Sequence, residues 1–177
     1  MISIFLDGEP PHTTHQQRGV KVLRKPDGSH VPMFFTKAKV QEAEQWYVSR
    51  LTPYAPPRGQ PFFPGVDPLR LELTFVFNWS KTNRKLREKG KLAECVWRIN
   101  RPDVDNSAKL LVDCLTNMGF WLDDAMVAEM NLRKVNGDRP GVFVSVEPLK
   151  PSACCPPPWY RVPDLPVSDH VVALHGP

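Results

Sequence analysis

The stretch RPDVDNSAK, from Arg101 to Lys109, sets Asp103 and Asp105 two positions apart behind Pro102 and closes on a lysine four residues past the second aspartate. A second acidic pair, Asp123 and Asp124, follows in WLDDA. Carboxylates gathered on one site repel each other unless a cation sits between them. Oxygen ligands with few histidines nearby suit Mg²⁺ or Mn²⁺ better than zinc. Within one helix, Asp103 and Asp105 would point about 200° apart and could not share a ligand. Pro102 biases Arg101 toward an extended backbone, and either aspartate makes a good N-cap. With Asp103 in the entering strand or loop and Asp105 at the helix start, both carboxylates converge at the positive end of the helix dipole. Lys109, one turn beyond Asp105, falls on the same face. A divalent ion held this way suits phosphodiester hydrolysis, since it activates water and neutralises phosphate charge. Lys109 would then steady the scissile phosphate or the leaving oxygen.

The same residues allow plainer roles. Asp103 can be a helix cap, Asp105 the ion-pair partner of Lys109, and Asp123 and Asp124 turn formers. A calcium loop beginning at Asp103 requires glycine at its sixth position, where Ala108 stands. A phosphatase of the Asp-x-Asp type places its pair at the end of a buried hydrophobic strand, and CVWRINRP is too polar for one.

Elements must position these groups. ISIFLDG reads as a strand, and KVLRK and HVPMFF flank the turn-like PDG as a hairpin whose second arm Pro32 weakens. From Thr36, a suitable N-cap, Val40, Ala43, Tyr47, Val48 and Leu51 recur at helical spacing, with a stop before Pro53. In RLELTFVFNW, Leu71, Leu73, Phe75, Phe77 and Trp79 alternate onto one face of a strand. Behind RPDVDN, the apolar positions Ala108, Leu111, Val112, Leu115 and Met118 share a helix face that Gly119 ends. MVAEMNLRKV and VFVSVEP read as two strands joined by NGDRPG. This order predicts one compact α/β or α+β domain over residues 1–150, followed by a proline-rich tail over 151–177.

Composition bounds the partners. The chain has 177 residues, with 41% hydrophobic and 24% charged, inside the globular range. No apolar run reaches membrane-span length, and MISIFL meets Asp7 too early for a signal peptide, so a cytoplasmic location is expected. Cys95, Cys114, Cys154 and Cys155 lack zinc-site spacing and read as reduced thiols. The formal charge is +4, but it is unevenly spread. Lys81, Arg84, Lys85, Arg87, Lys89, Lys91, Arg98 and Arg101 lie in one stretch against Glu88 and Glu94. Such a run is either a solvated loop or a surface for a polyanion such as DNA. His12 and His15 have ligand-like spacing but no companion cysteines, and they read as polar or phosphate-contacting residues. Arg18 and Lys21 could join a DNA surface.

RPDVDNSAKLLVDCL followed by NMGFWLDDAMV resembles the core of the RusA-type Holliday junction resolvases, Mg²⁺-dependent endonucleases of bacteria and phages. The resemblance is tight from Arg101 to Lys134 and looser from Met1 to Leu149, and it leaves the tail unmatched. It implies a compact domain with a mixed sheet and two main helices. It further implies that Asp103, Asp105 and Asp124 bind metal and that Lys109 assists catalysis, the second aspartate of the Asp-Asp pair being the one the family uses. Asn106 would support the site, and Asp113 would pair with Lys109. A homodimer is implied too, nicking both strands of a four-way junction, with the basic stretch holding the arms through their phosphates. The competing reading is a branched-DNA-binding module that cleaves nothing.

Overall fold

The computed structural model describes residues 1–13, 18–36, 38–65 and 67–150. Its elements are β1 (Ile2–Asp7), β2 (Arg18–Arg24), β3 (His30–Thr36), α1 (Ala38–Leu51), β4 (Leu69–Phe77), α2 (Lys81–Glu88), β5 (Cys95–Trp97), α3 (Val104–Asn117), β6 (Val127–Gly137) and β7 (Gly141–Pro148). Short 3-10 turns cover Thr52–Tyr54 and Asp124–Met126. His15, the tail cysteines and the tail aromatics lie outside the described residues.

Five strands form one sheet in the order β1-β7-β4-β6-β5. β4 and β6 run parallel while the other pairs are antiparallel, so the sheet is mixed and the fold is α+β. A parallel neighbour needs a crossover, and here the path from β4 to β6 carries α2, β5 and α3. The alternation read from β4 is realised: Leu69, Leu71, Leu73, Phe75 and Phe77 are each fully buried. With Val142, Val144 and Val146 of β7 they make the face onto which α1 and α3 pack, through Ala43, Tyr47, Leu51, Ala108, Leu111 and Leu115. Each of the Leu, Val and Phe side chains so removed from water stabilises by about 1.5–3 kcal/mol. Gly119 ends α3 at φ +80, a left-handed backbone that residues with a side chain rarely adopt.

Three elements differ from the sequence reading. The basic stretch, given no helix or strand in the sequence reading, forms α2 and β5. The signal was a cap and not a hydrophobic period: Ser80 accepts a hydrogen bond from the Asn83 amide at 3.1 Å, and no residue of α2 is buried. Trp79 lies past the end of β4 yet stays buried, its indole N–H donating to Asp138 Oδ1 at 2.7 Å. α1 begins at Ala38, after Thr36 has closed β3, and its cap position, Lys37, falls outside the described residues. Pro32 pairs with Val22 in the hairpin of β2 and β3. A two-stranded ribbon has two edges, so a missing N–H is tolerated there. No helix among the described residues is long and apolar enough to cross a membrane.

Candidate metal and nucleic-acid site

Asp103 occupies the N-cap position of α3 with an extended backbone (φ −71, ψ 142). Its side chain makes no capping bond, although the position would allow one. The last turn of the loop is instead secured by its carbonyl, which accepts from the Ser107 amide and hydroxyl at 3.1 Å each. Asp103 is thus the cap by position alone, and its carboxylate is exposed. Asp105 lies in the first turn of α3, where the helix dipole favours negative charge. No ion pair joins Asp105 to Lys109 among the described residues.

Beyond the C-terminus of α3, Phe120 and Trp121 are buried, with Trp121 Nε1 donating to Thr116 Oγ1 at 2.7 Å. This anchors the turn that follows. There Asp123 Oδ1 accepts from the Ala125 amide at 2.8 Å, which makes Asp123 a turn former, and both Asp123 and Asp124 are exposed. Asp105, Lys109, Asp113 and Asp124 line one cavity of about 260 Å³, whose apolar wall comes from Ala108, Val112, Val127, Met130 and Leu132. Asp103 is not on its lining, and no three His, Cys, Asp or Glu groups among the described residues stand close enough to hold a metal ion unaided.

The donor chemistry nonetheless fits a hard divalent cation. The candidate ligands are carboxylates, with no histidine or thiol among them. Those of Asp103, Asp105 and Asp124 are exposed and accept no hydrogen bond from the other described residues.

The approach to Asp103 is built from basic groups that face inward. Lys134 of β6 stands on the helix side of the sheet, in register with Phe75, and its ammonium donates to Asn100 O at 2.9 Å and Pro102 O at 2.6 Å. Arg98 donates through Nη2 to Arg101 O at 2.8 Å and through Nη1 to Asn136 Oδ1 at 2.9 Å, and its guanidinium stacks 4.4 Å from the Phe77 ring centroid. Partial burial and the neighbouring Arg98 charge hold the Lys134 ammonium below the ordinary lysine range, against an opposing pull from Asp103 and Asp105.

The basic residues expected to face a polyanion divide into two groups. Arg98 is spent on the loop, and Arg87 on Asp138 through a 2.8 Å ion pair. Lys81, Arg84, Lys85, Lys89, Lys91 and Arg101 are exposed. Sequence reasoning missed Lys134 and Asn136. The available cue was position: Lys134 follows Leu132 by two residues on a strand and so takes an inward place that a lysine rarely holds without a partner. Of the histidines with ligand-like spacing, His12 bonds Glu9 Oε1 at 3.1 Å and sits edge-on to Phe77, an ordinary polar role.

A family model described as endodeoxyribonuclease RusA matches residues 9–147. A curated relative, the crossover junction endodeoxyribonuclease rusA of Lactococcus phage r1t, is 27% identical over 79 residues, covering 45% of this chain and 53% of that protein. The chain thus spans about half the length of this relative.

Proposed function

The chain belongs to the RusA endodeoxyribonuclease family, and from that premise we propose that it is a divalent-metal-dependent endonuclease that resolves four-way and related branched DNA by paired phosphodiester hydrolysis. The observation that carries this reading is the shared cavity of Asp105, Lys109 and Asp124, with the uncapped Asp103 at the adjoining helix start.

Asp103, Asp105 and Asp124 are the residues that would hold Mg²⁺ or Mn²⁺. When bound, such an ion supplies a water of lowered pKa and a charge that offsets the phosphorane-like transition state. The chain's own groups do the rest. Lys109 places an ammonium on the cavity wall, where it can bind a phosphate oxygen and stabilise charge on the leaving group. The N-terminal end of α3 adds its dipole to the same anion. Val112, Val127 and Leu132 form the apolar side of the cavity.

The exposed cations of α2 and its flanks are assigned to the DNA arms, which they would contact through phosphates. Selectivity for a branch would come from shape and deformability more than from base edges. Two copies related by a two-fold axis match the two equivalent cut points of a four-way junction, and a homodimer is part of this reading.

The test is a gel cleavage assay on a synthetic four-way junction, with and without Mg²⁺ and with linear duplex as competitor. Metal-dependent paired nicks are expected. Tight junction binding without nicking under any divalent ion would overturn the nuclease reading and leave a binding module.

A further inference from the structure

Three consecutive carbonyls precede Asp103, and each is held by a cation from the sheet. Lys134 Nζ takes Asn100 O and Pro102 O at 2.9 and 2.6 Å, and Arg98 Nη2 takes Arg101 O at 2.8 Å. Asn136, buried on β6, in turn fixes the Arg98 guanidinium at 2.9 Å. Arg98, the residue after β5, lies beside Lys134, since the Arg98 amide donates to Lys134 O at 3.0 Å. Two like charges placed side by side and partly out of water are costly. Such an arrangement persists where it holds something that would otherwise move, and here that is the short segment delivering Asp103 to the start of α3.

We propose that Lys134 is a positioning residue of the metal site: together with Arg98 it fixes the backbone of residues 100–102, and so sets where the Asp103 carboxylate stands at the start of α3, from which it would reach an ion shared with Asp105 and Asp124. The inference rests on the metal-site reading above and deepens it. Lys134 acts through backbone carbonyls and does not touch the ion. Groups that orient metal ligands typically change metal affinity or activity by about 10–100-fold when removed.

The experiment compares the full chain with K134M and K134R by calorimetric Mn²⁺ titration in the absence of DNA, with junction affinity in Ca²⁺ and single-turnover cleavage in Mg²⁺ read alongside. K134M is expected to lose about 10–100-fold in Mn²⁺ affinity and in cleavage rate, with junction affinity within about twofold of wild type. K134R retains a cation with several donors and is expected to recover most of the Mn²⁺ affinity. If wild type binds Mn²⁺ and K134M binds it equally well, the positioning role is overturned while the metal site stands. If K134M loses junction affinity as strongly as rate, Lys134 is a DNA contact and the proposal fails. If wild type takes up no Mn²⁺, both readings fall. Should K134M not fold, R98K serves in its place: it keeps the charge but loses the fork that reaches Arg101 O and Asn136, and unchanged Mn²⁺ affinity in it overturns the proposal.

Discussion

Asp105 and Asp124 line the same cavity although one belongs to the first turn of α3 and the other to the turn that follows that helix. α3 runs the length between them, so neither could reach the other through local chain geometry. Their place on one cavity depends on the chain folding back from Gly119 through the buried pair Phe120 and Trp121.

Neutralising either acid should separate cutting from binding. D105N and D124N are expected to lower the cleavage rate by about 10²–10³-fold, the scale of several kcal/mol of lost charge stabilisation. Junction affinity should hold or tighten, because a negative group facing phosphate is removed. Gel-shift and single-turnover assays on the same preparations check this. Loss of binding in a folded variant would contradict the assignment.

The α2 cations should act through salt-dependent binding to phosphates. Lys81, Lys85 and Lys89 border one surface depression on the helix. Replacing all three with alanine should weaken junction binding and flatten the slope of log K against log salt by about 0.9 for each phosphate that is no longer neutralised. An unchanged slope would place the DNA elsewhere.

Asp138 should make stability pH-dependent on the acid side. The Arg87 guanidinium, and then the Trp79 indole N–H, hold its carboxyl below the ordinary 3.8. A group whose folded pKa is depressed contributes stability above its unfolded pKa and loses it as pH falls through the folded value. D138N should therefore be less stable than wild type at neutral pH, with the difference closing below about pH 3.8. Urea midpoints measured across that range test the sign.

The two thiols of the described domain should differ sharply in reactivity. Cys114 is buried in the core, and burial, with the nearby charges of Glu44 and Asp113, pushes its thiol up to about 12. Cys95 is exposed at the sheet edge. Alkylation at neutral pH followed by peptide mapping should label Cys95 at once and Cys114 only under denaturant, because the thiolate is the nucleophile.

Metal uptake should be measurable without substrate. Calorimetry with Mg²⁺ or Mn²⁺ is expected to show binding that D103N, D105N and D124N each weaken. Equal uptake by all three variants would remove the carboxylates from the site.

Much of this was legible in the amino-acid order because it is local. The alternation of Leu71, Leu73, Phe75 and Phe77, the apolar face of α3 and the stop at Gly119 depend on residues within a few positions of each other, and the fold kept all three. The motif around Asp103, Asp105 and Lys109 is equally local, and so is the turn at Asp123, whose side chain accepts from the Ala125 amide. Long-range pairing decided the rest. The basic stretch carried no apolar period, so its helix showed itself through Ser80 alone. Whether Arg98 faced solvent or the loop, and whether Lys134 sat inside or outside the sheet, depended on the register of β5 and β6 and on the parallel pairing of β4 with β6. A strand offers each residue two faces, and only the neighbour across the ladder, brought from far along the chain, determines which face is buried.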